Sequence, residues 1–396
     1  MTNLLKNIIV VGGSFVGRTT AQELARVLPD THRVLLIEPH SHFHHLFTFP
    51  RFAIVPGQEH KAFIPYNKIY HAAPNASSHT VVQARVLSIQ QQHVKLDREW
   101  QGSNQIPFEY LTVATGTRLA EPAGMRDDDK PSSVAYLQKH QDAVKRANSI
   151  LIVGGGAVSV QMATDLKEVS PEKEVTVVQS REHVMPQFHG NLHNLVKKRF
   201  DELGVRLVTG SRVTVPENGF PNDGSTFNVQ LTNGTQVPTQ FVILATGQTP
   251  NNDLVGDLAP STSETIVNPD NGFIRVKKTM QFVDPKYSNL FAVGDIADTG
   301  ARKAAKPGSA QAAVVAKNIL NLIEGKAADE QYEKTPPAIH ITLGMKYNVI
   351  FRNPNEAEGQ TEPTIIEKFD GQDDLGVEGM WGRLGIEIEN PHQYHL

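Results

Sequence analysis

Short apolar runs that end in glycine recur along the chain. Asn7-Ile8-Ile9-Val10-Val11 leads into Gly12-Gly13-Ser14-Phe15-Val16-Gly17, and Ser149-Ile150-Leu151-Ile152-Val153 leads into Gly154-Gly155-Gly156-Ala157-Val158-Ser159. An unbroken run of β-branched and aliphatic residues of this length reads as a strand buried on both faces of a parallel sheet. A helical pattern follows each run, over Arg18 to Leu28 and over Val160 to Glu168, and each helix leads to a second β-rich run, Arg33 to Ile37 and Glu174 to Val178. The pattern is βαβ, twice.

A second echo follows the first. Leu111-Thr112-Val113-Ala114-Thr115-Gly116 matches Val242-Ile243-Leu244-Ala245-Thr246-Gly247. Later, Leu290-Phe291-Ala292-Val293-Gly294-Asp295 is another strand running into a glycine turn, and a long helix is predicted from Gly308 to Ile323. The polar stretch Glu217 to Asn233, with Pro221, Asn222, Asp223 and Gly224, predicts a hairpin inside the second unit. After Gly325 prolines become frequent between short β-like runs, which predicts a small α+β piece. The fold class is α/β: two interleaved Rossmann-like dinucleotide-binding domains with a small α+β C-terminal domain. The first unit spans 1–120, the second 121–247, the chain returns to the first over 248–325, and the C-terminal domain is 326–396.

The glycine turns carry the chemistry. In G-x-G-x-x-G the first glycine makes the tight turn, the second lets backbone approach a pyrophosphate, and the third lets helix pack on strand. Gly12 and Gly17 hold the first and third places, and Ser14 is small enough for the middle one. The next strand ends at Glu38, where an acid accepts hydrogen bonds from ribose hydroxyls. The bland alternative is a turn that only packs helix on strand. The second turn has Gly154 and Gly156 but Ser159 in the third place, and its following strand ends at Gln179-Ser180-Arg181 with no acid. Losing the acid and gaining Arg181 suits a 2′-phosphate, hence NADP rather than NAD. A solvated loop arginine is the alternative.

Composition narrows the classes. There is no cysteine, which excludes a disulfide, a thiolate nucleophile, an iron–sulfur cluster and a thiolate zinc site. Lys and Arg number 38 against 42 Asp and Glu, a net charge of −4, so there is no electrostatic footprint for nucleic acid. Met1 to Lys6 is too short for a targeting segment, Thr2 replaces the glycine that myristoylation needs, and no run of about 18 apolar residues predicts a membrane span. A cytosolic protein is the expectation. His40, His42, His44 and His45 invite a metal reading, but no carboxylate stands at tight spacing, and no metal is predicted. Trp381 and Phe351 either line an acceptor pocket or pack a core.

The ordered landmarks, two glycine turns, two Ala-Thr-Gly turns and the late Val293-Gly294-Asp295, resemble the pyridine-nucleotide–disulfide oxidoreductase superfamily over about residues 7–325. The resemblance implies a glutathione-reductase-like arrangement. Gly154-Gly155-Gly156 through Pro171-Glu172-Lys173-Glu174-Val175-Thr176 is similar to the apoptosis-inducing-factor-like branch, which includes the ferroptosis suppressor proteins and is similar to type II NADH dehydrogenases. Glu38-Pro39-His40-Ser41-His42-Phe43 and Gln393-Tyr394-His395-Leu396 look like its fungal members.

By matching position, the resemblance implies FAD in the first unit. Gly12, Gly13, Ser14 and Gly17 would hold its pyrophosphate and Glu38 its adenosine ribose, with Arg51 near the cofactor, the Val86 backbone at the adenine and Asp295, after Gly294, on the ribityl chain. Ala114, Thr115, Gly116 and Gly247 join the cofactor-binding set. Lys306, Gly308 and Gln311 at a helix start would face the flavin, where the positive end of a helix favours negative charge. Gly154, Gly156, Ser159, Ser180 and Arg181 would hold NADPH, or NADH. Gln161 stands where the family has a glutamate near the nicotinamide, and an amide cannot titrate. Gln161 and Lys306 are the residues expected closest to the chemistry.

The superfamily's redox cysteine pair has no counterpart in His40 to Pro50, so electrons would leave the flavin directly for a small-molecule acceptor: a quinone-like compound, another small organic molecule or oxygen. A tailoring enzyme of a biosynthetic pathway and an FAD- and NAD(P)H-binding redox sensor are the other readings. Oligomeric state is not legible.

Overall fold

The computed structural model describes residues 5–396. Residues 1–4 of the N-terminal stretch read above lie outside the described residues. The first unit is built on a 5-stranded parallel sheet. Its spatial order is Leu290–Ala292, Tyr110–Val113, Lys6–Val11, His32–Glu38 and Thr80–Gln83. Ile8, Ile9 and Val10 at its centre are 0% exposed, which is why this run is apolar without alternation. The second unit repeats the plan with a 4-stranded parallel sheet, ordered Arg206–Val208, Glu174–Val178, Ser149–Val153 and Phe241–Leu244.

The interleaving is visible at one crossing. Thr117–Leu119 leaves the first unit and Gln248–Pro250 returns to it, paired antiparallel. Thr115 Oγ1 donates to the Asn251 carbonyl at 2.7 Å and Asn251 Nδ2 donates to the Thr115 carbonyl at 2.9 Å. The Ala114-Thr115-Gly116 turn is thus fastened to the crossing.

Helix starts lie a few residues earlier than the pattern predicts: Phe15–Val27, Ala157–Val169 and Ala305–Ile323. The residues after each turn already have helical backbone, although their apolar periodicity begins later. The predicted hairpin is Phe227–Gln230 with Gln236–Thr239. Its turn is at Asn233-Gly234, with Gly234 at φ 86°, and not at the Asn222–Gly224 cluster, which lies in the lead-in. An Asn-Gly pair supplies the left-handed conformation a tight hairpin needs. A meander of Val86–Ile89, His93–Trp100 and Ser103–Pro107 was not foreseen.

The C-terminal piece consists of a 3-stranded antiparallel sheet, Ala338–Thr342, Asn348–Arg352 and Thr364–Lys368, and the short helix Glu378–Arg383. It straddles two cores. Ile341, Leu343, Val349 and Phe351 of the sheet pack into the core of the second unit. Val377, Met380, Trp381 and Leu384 pack into that of the first. Trp381 is 0% exposed and donates from Nε1 to the Lys61 carbonyl at 2.9 Å, and Phe351 is also 0% exposed. Core packing is what both aromatics do. Among the described residues no helix is long and apolar enough to cross a membrane.

Candidate functional site

Three helix starts share one property. Phe15–Val27, Ala157–Val169 and Ala305–Ile323 begin at Ser14, Gly156 and Ala304, and none has a side-chain cap. Elsewhere the chain does cap: Asp129 accepts from the Ser132 amide ahead of Lys130–Arg146, and His189 accepts from Asn191 ahead of Gly190–Leu203. A capping side chain satisfies amides that are otherwise orphaned. Helix starts that leave them free are ready to receive an anion. Among the described helices of 13 residues or more, the uncapped starts are the ones that follow the two glycine turns and the Gly294-Asp295 turn.

The glycines make these starts possible. Gly12 is at φ 99°, and a Cβ there would lie 2.6 Å from the Ala114 carbonyl oxygen. A Cβ on Gly17 would overlap the Gly12 carbonyl oxygen. At Gly308 a Cβ would collide with the Val16 side chain, so glycine there lets the helix starting at Ala305 lean onto the one starting at Phe15. In the second unit Ser159 takes the third place. It is 0% exposed and its Oγ has no protein partner.

Glu38 lies where predicted, at the end of its strand, with 5% exposure. Its carboxylate accepts from the Gly13 amide and from the His40 ring Nδ1, and from the His40 amide at 3.0 Å. Burial pushes this carboxyl up, but His40 and the Gly13 amide outweigh it and hold it below its usual range. Burial in turn pulls His40 down, and Glu38 and then Asp128 more than reverse that. Tyr66 Oη donates to the Gly13 carbonyl at 3.0 Å. A cleft of about 750 Å³ opens beside this cluster, lined by His40, Tyr66, Tyr70, His79 and Gln83 among others. Val86 begins the strand of the meander that leaves this region.

At the other end, Asp295 is partly buried, and burial pushes its carboxyl up against the opposing charges of Lys303 and Arg302. Gln311 is 2% exposed, and its Oε1 accepts from the Gly294 amide at 2.7 Å, so it holds the turn in place. Lys306 is exposed. Lys303 is the lysine brought to the acid, with Nζ also donating to the Ala297 carbonyl at 2.6 Å. Its neighbour Arg302 lies over the Phe188 ring at 4.4 Å and donates to the Ala338 carbonyl, so it touches the second unit and the C-terminal sheet. The sequence carries no periodicity that would separate Lys303 from Lys306.

Arg51 stands on the short helix Phe49–Phe52. It is 0% exposed, and its guanidinium is committed to Asp165 and to the Gly344 and Gln372 carbonyls. It binds protein segments together. In the second unit Gln161 is half-buried on the helix after the glycine turn. Ser180 and Arg181 are exposed, as is Glu182, an acid the strand-end reading passed over. Its carboxylate leans onto Gly210, where a Cβ would lie 2.8 Å from Oε1. Gly247 is exposed at φ 75°.

The histidines of the run take separate partners, although the His40 and His44 rings lie 4.1 Å apart. His40 goes to Glu38, and His42 Nε2 lies 3.1 Å from the Leu396 carbonyl oxygen. His44 packs on Phe63, and His45 on Phe15. Among the described residues no three His, Asp or Glu side chains are grouped to hold a metal ion.

Residues 6–316 match the family described as pyridine nucleotide-disulphide oxidoreductase. Fe-regulated protein 8 of Mycosarcoma maydis is 33% identical, covering 98% of this chain and 97% of its own length. Ferroptosis suppressor protein 1 of Mus musculus is 29% identical over 86% of this chain and 87% of its own. The solved structure of the sulfide:quinone oxidoreductase from Aquifex aeolicus superimposes with a TM-score of 0.71 at 18% identity, covering 98% of this chain and 94% of that one. Two glycine turns on two parallel sheets, joined by a paired crossing and matched over this length, mean that the chain belongs to the pyridine nucleotide-disulphide oxidoreductase family, in a branch that includes the ferroptosis suppressor proteins.

Proposed function

We propose that the protein is a flavin-dependent oxidoreductase that takes a hydride from NADPH or NADH and passes the electrons from FAD straight to a quinone-like or other small organic acceptor, or to oxygen. The observation that carries this reading is the set of three uncapped helix starts after glycine turns in a chain with no cysteine. Two of them, in the first unit, fit a dinucleotide that runs from Glu38 past Gly13 and Ser14 to Asp295. The third, in the second unit, fits the nicotinamide nucleotide. FAD, when bound, supplies the hydride acceptor and the store of two electrons.

The chain's own groups bind and orient. Glu38, held ionised by His40, accepts from ribose hydroxyls. Asp295 accepts from a polyol chain, and Lys303 supplies positive charge beside it. The amides at the start of Ala305–Ile323 favour negative charge at the ring they face. Gln161 can hold a carboxamide but takes no proton. Without a thiol there is no dithiol relay, so the acceptor has to reach the flavin itself. The family name's disulphide chemistry does not carry over to a chain without cysteine.

Steady consumption of NADPH or NADH with a simple benzoquinone, and none with lipoamide or glutathione disulfide, supports the proposal. A single stoichiometric reduction of bound flavin with no further turnover on quinones, oxygen or candidate metabolites would replace it with the sensor reading.

A further inference from the structure

We propose that Arg18 and His45 form a side-chain site for the diphosphate of the dinucleotide held by the first unit, an inference that rests on reading that unit as the FAD cradle. Arg18 lies one turn into the uncapped helix Phe15–Val27. It is 9% exposed, and among the described residues it forms no ion pair. Its Nη1 donates to the neutral Gln22 side chain at 2.8 Å and its Nη2 to the Thr19 hydroxyl at 3.5 Å, its face lies over the Phe43 ring at 5.7 Å, and its Nε has no protein partner.

His45 is 8% exposed and its Nδ1 also has no protein partner. Phe15, the first residue of the helix, joins the two. Its ring lies 5.6 Å from His45 and 5.0 Å from the same Phe43 that Arg18 covers. Arg383 of the C-terminal helix adds a second positive charge to that of Arg18, and His45 stays neutral near pH 7. Burial first, and then Arg383, lower both Arg18, to about 10, and His45, to about 4.

The contrast with Arg51 gives this cluster its meaning. Arg51, 0% exposed, meets the Asp165 carboxylate, as a buried guanidinium should. Arg18 meets none. A buried guanidinium that meets no carboxylate and a neutral imidazole, each with an unpartnered nitrogen, at a helix whose first amides are uncapped, suit an anion with several oxygens. A dinucleotide lying along the glycine turn brings a diphosphate to that place.

Arg18→Met keeps the length and the packing on Phe43 while removing the charge. Holoenzyme is diluted into flavin-free buffer, and FAD release is followed by its fluorescence. The expected result is a dissociation constant higher by roughly 10- to 100-fold, partly regained in Arg18→Lys, and a smaller rise in His45→Phe. Thermal unfolding of the flavin-stripped chain separates this from a structural role: Arg18→Met should then be as stable as the parent or more so, because an unpaired buried charge has been removed. Unchanged FAD release, or a loss of flavin matched by an equal loss of stability without flavin, overturns the diphosphate site. A parent protein that never carries flavin sinks the cofactor reading instead.

Discussion

Arg51 and Asp165 form a bidentate ion pair, Nε to Oδ2 at 2.8 Å and Nη2 to Oδ1 at 2.9 Å, with both side chains 0% exposed. Asp165 lies one turn beyond Gln161 on the helix of the second unit, and Arg51 also donates to the Gly344 and Gln372 carbonyls. One guanidinium therefore ties the first unit to the helix Ala157–Val169 and to the C-terminal piece. Burial pushes the Asp165 carboxyl up to about 6, Arg51 opposes that, and Glu168 adds to it.

Removing Arg51 leaves a buried carboxylate without its partner, a change that costs about 3–5 kcal/mol. Arg51→Met should lower unfolding stability by that order in a urea titration, and the double change Arg51→Met with Asp165→Leu should recover much of it. A single-variant cost below about 1 kcal/mol, the size of an exposed pair, would show that the pair does not fasten the units.

A pH effect follows from His140. It is 8% exposed, Nδ1 lies 2.8 Å from the Ala53 carbonyl oxygen, and burial lowers the ring to about 4 despite that bond. A histidine depressed by folding contributes stability that is present above its ordinary value of about 6.5 and is lost as pH falls through its folded value. Stability should therefore decline from pH 6.5 to 4, with this ring contributing at most about 1.4 kcal/mol per pH unit. Asp165, raised on folding, works in the opposite sense over the same window, so the effect is read as a difference between two proteins. His140→Asn, which can still donate to Ala53, should flatten the decline in unfolding midpoints measured across that range. An unaltered slope would mean that His140 does not titrate with unfolding.

Nucleotide choice turns on the strand end at Gln179. No acid stands there, and the exposed Arg181 is free to meet a 2′-phosphate, while Glu182 leans away onto the Gly210 loop. NADPH should be used at least as well as NADH, and Arg181→Ala should raise the KM for NADPH by roughly tenfold with little change for NADH. Exposure to salt keeps the effect at that lower end. Strong preference for NADH in the parent protein would defeat the inference and leave the first unit's assignment untouched.

The sheets were legible because their strands are buried on both faces, which leaves an unmistakable apolar run; Glu174–Val178 agrees residue for residue. Glu38 was legible because its register follows from the strand. What escaped was set by contacts between distant segments. Arg18, His45 and Arg383 meet only after three parts of the chain fold together, and nothing local marks them. Arg51 and Arg18 look alike in sequence, yet Asp165, more than a hundred residues on, decides which is paired. Lys306 was favoured by its place at a helix start, but the preceding loop carries Lys303 to Asp295. The meander was missed because His93–Trp100 is largely polar and exposed, so its alternation is weak.

The central claim is that two nucleotides meet on this chain and electrons leave without a thiol. It is tested most directly by adding NADPH, without oxygen, to the purified protein while recording its absorbance. One FAD per chain is expected, with loss of the oxidised-flavin absorbance on addition of one equivalent of nucleotide and its return when a benzoquinone follows. A colourless protein that cannot be reconstituted with FAD, or a flavin band that neither NADPH nor NADH diminishes, would contradict it.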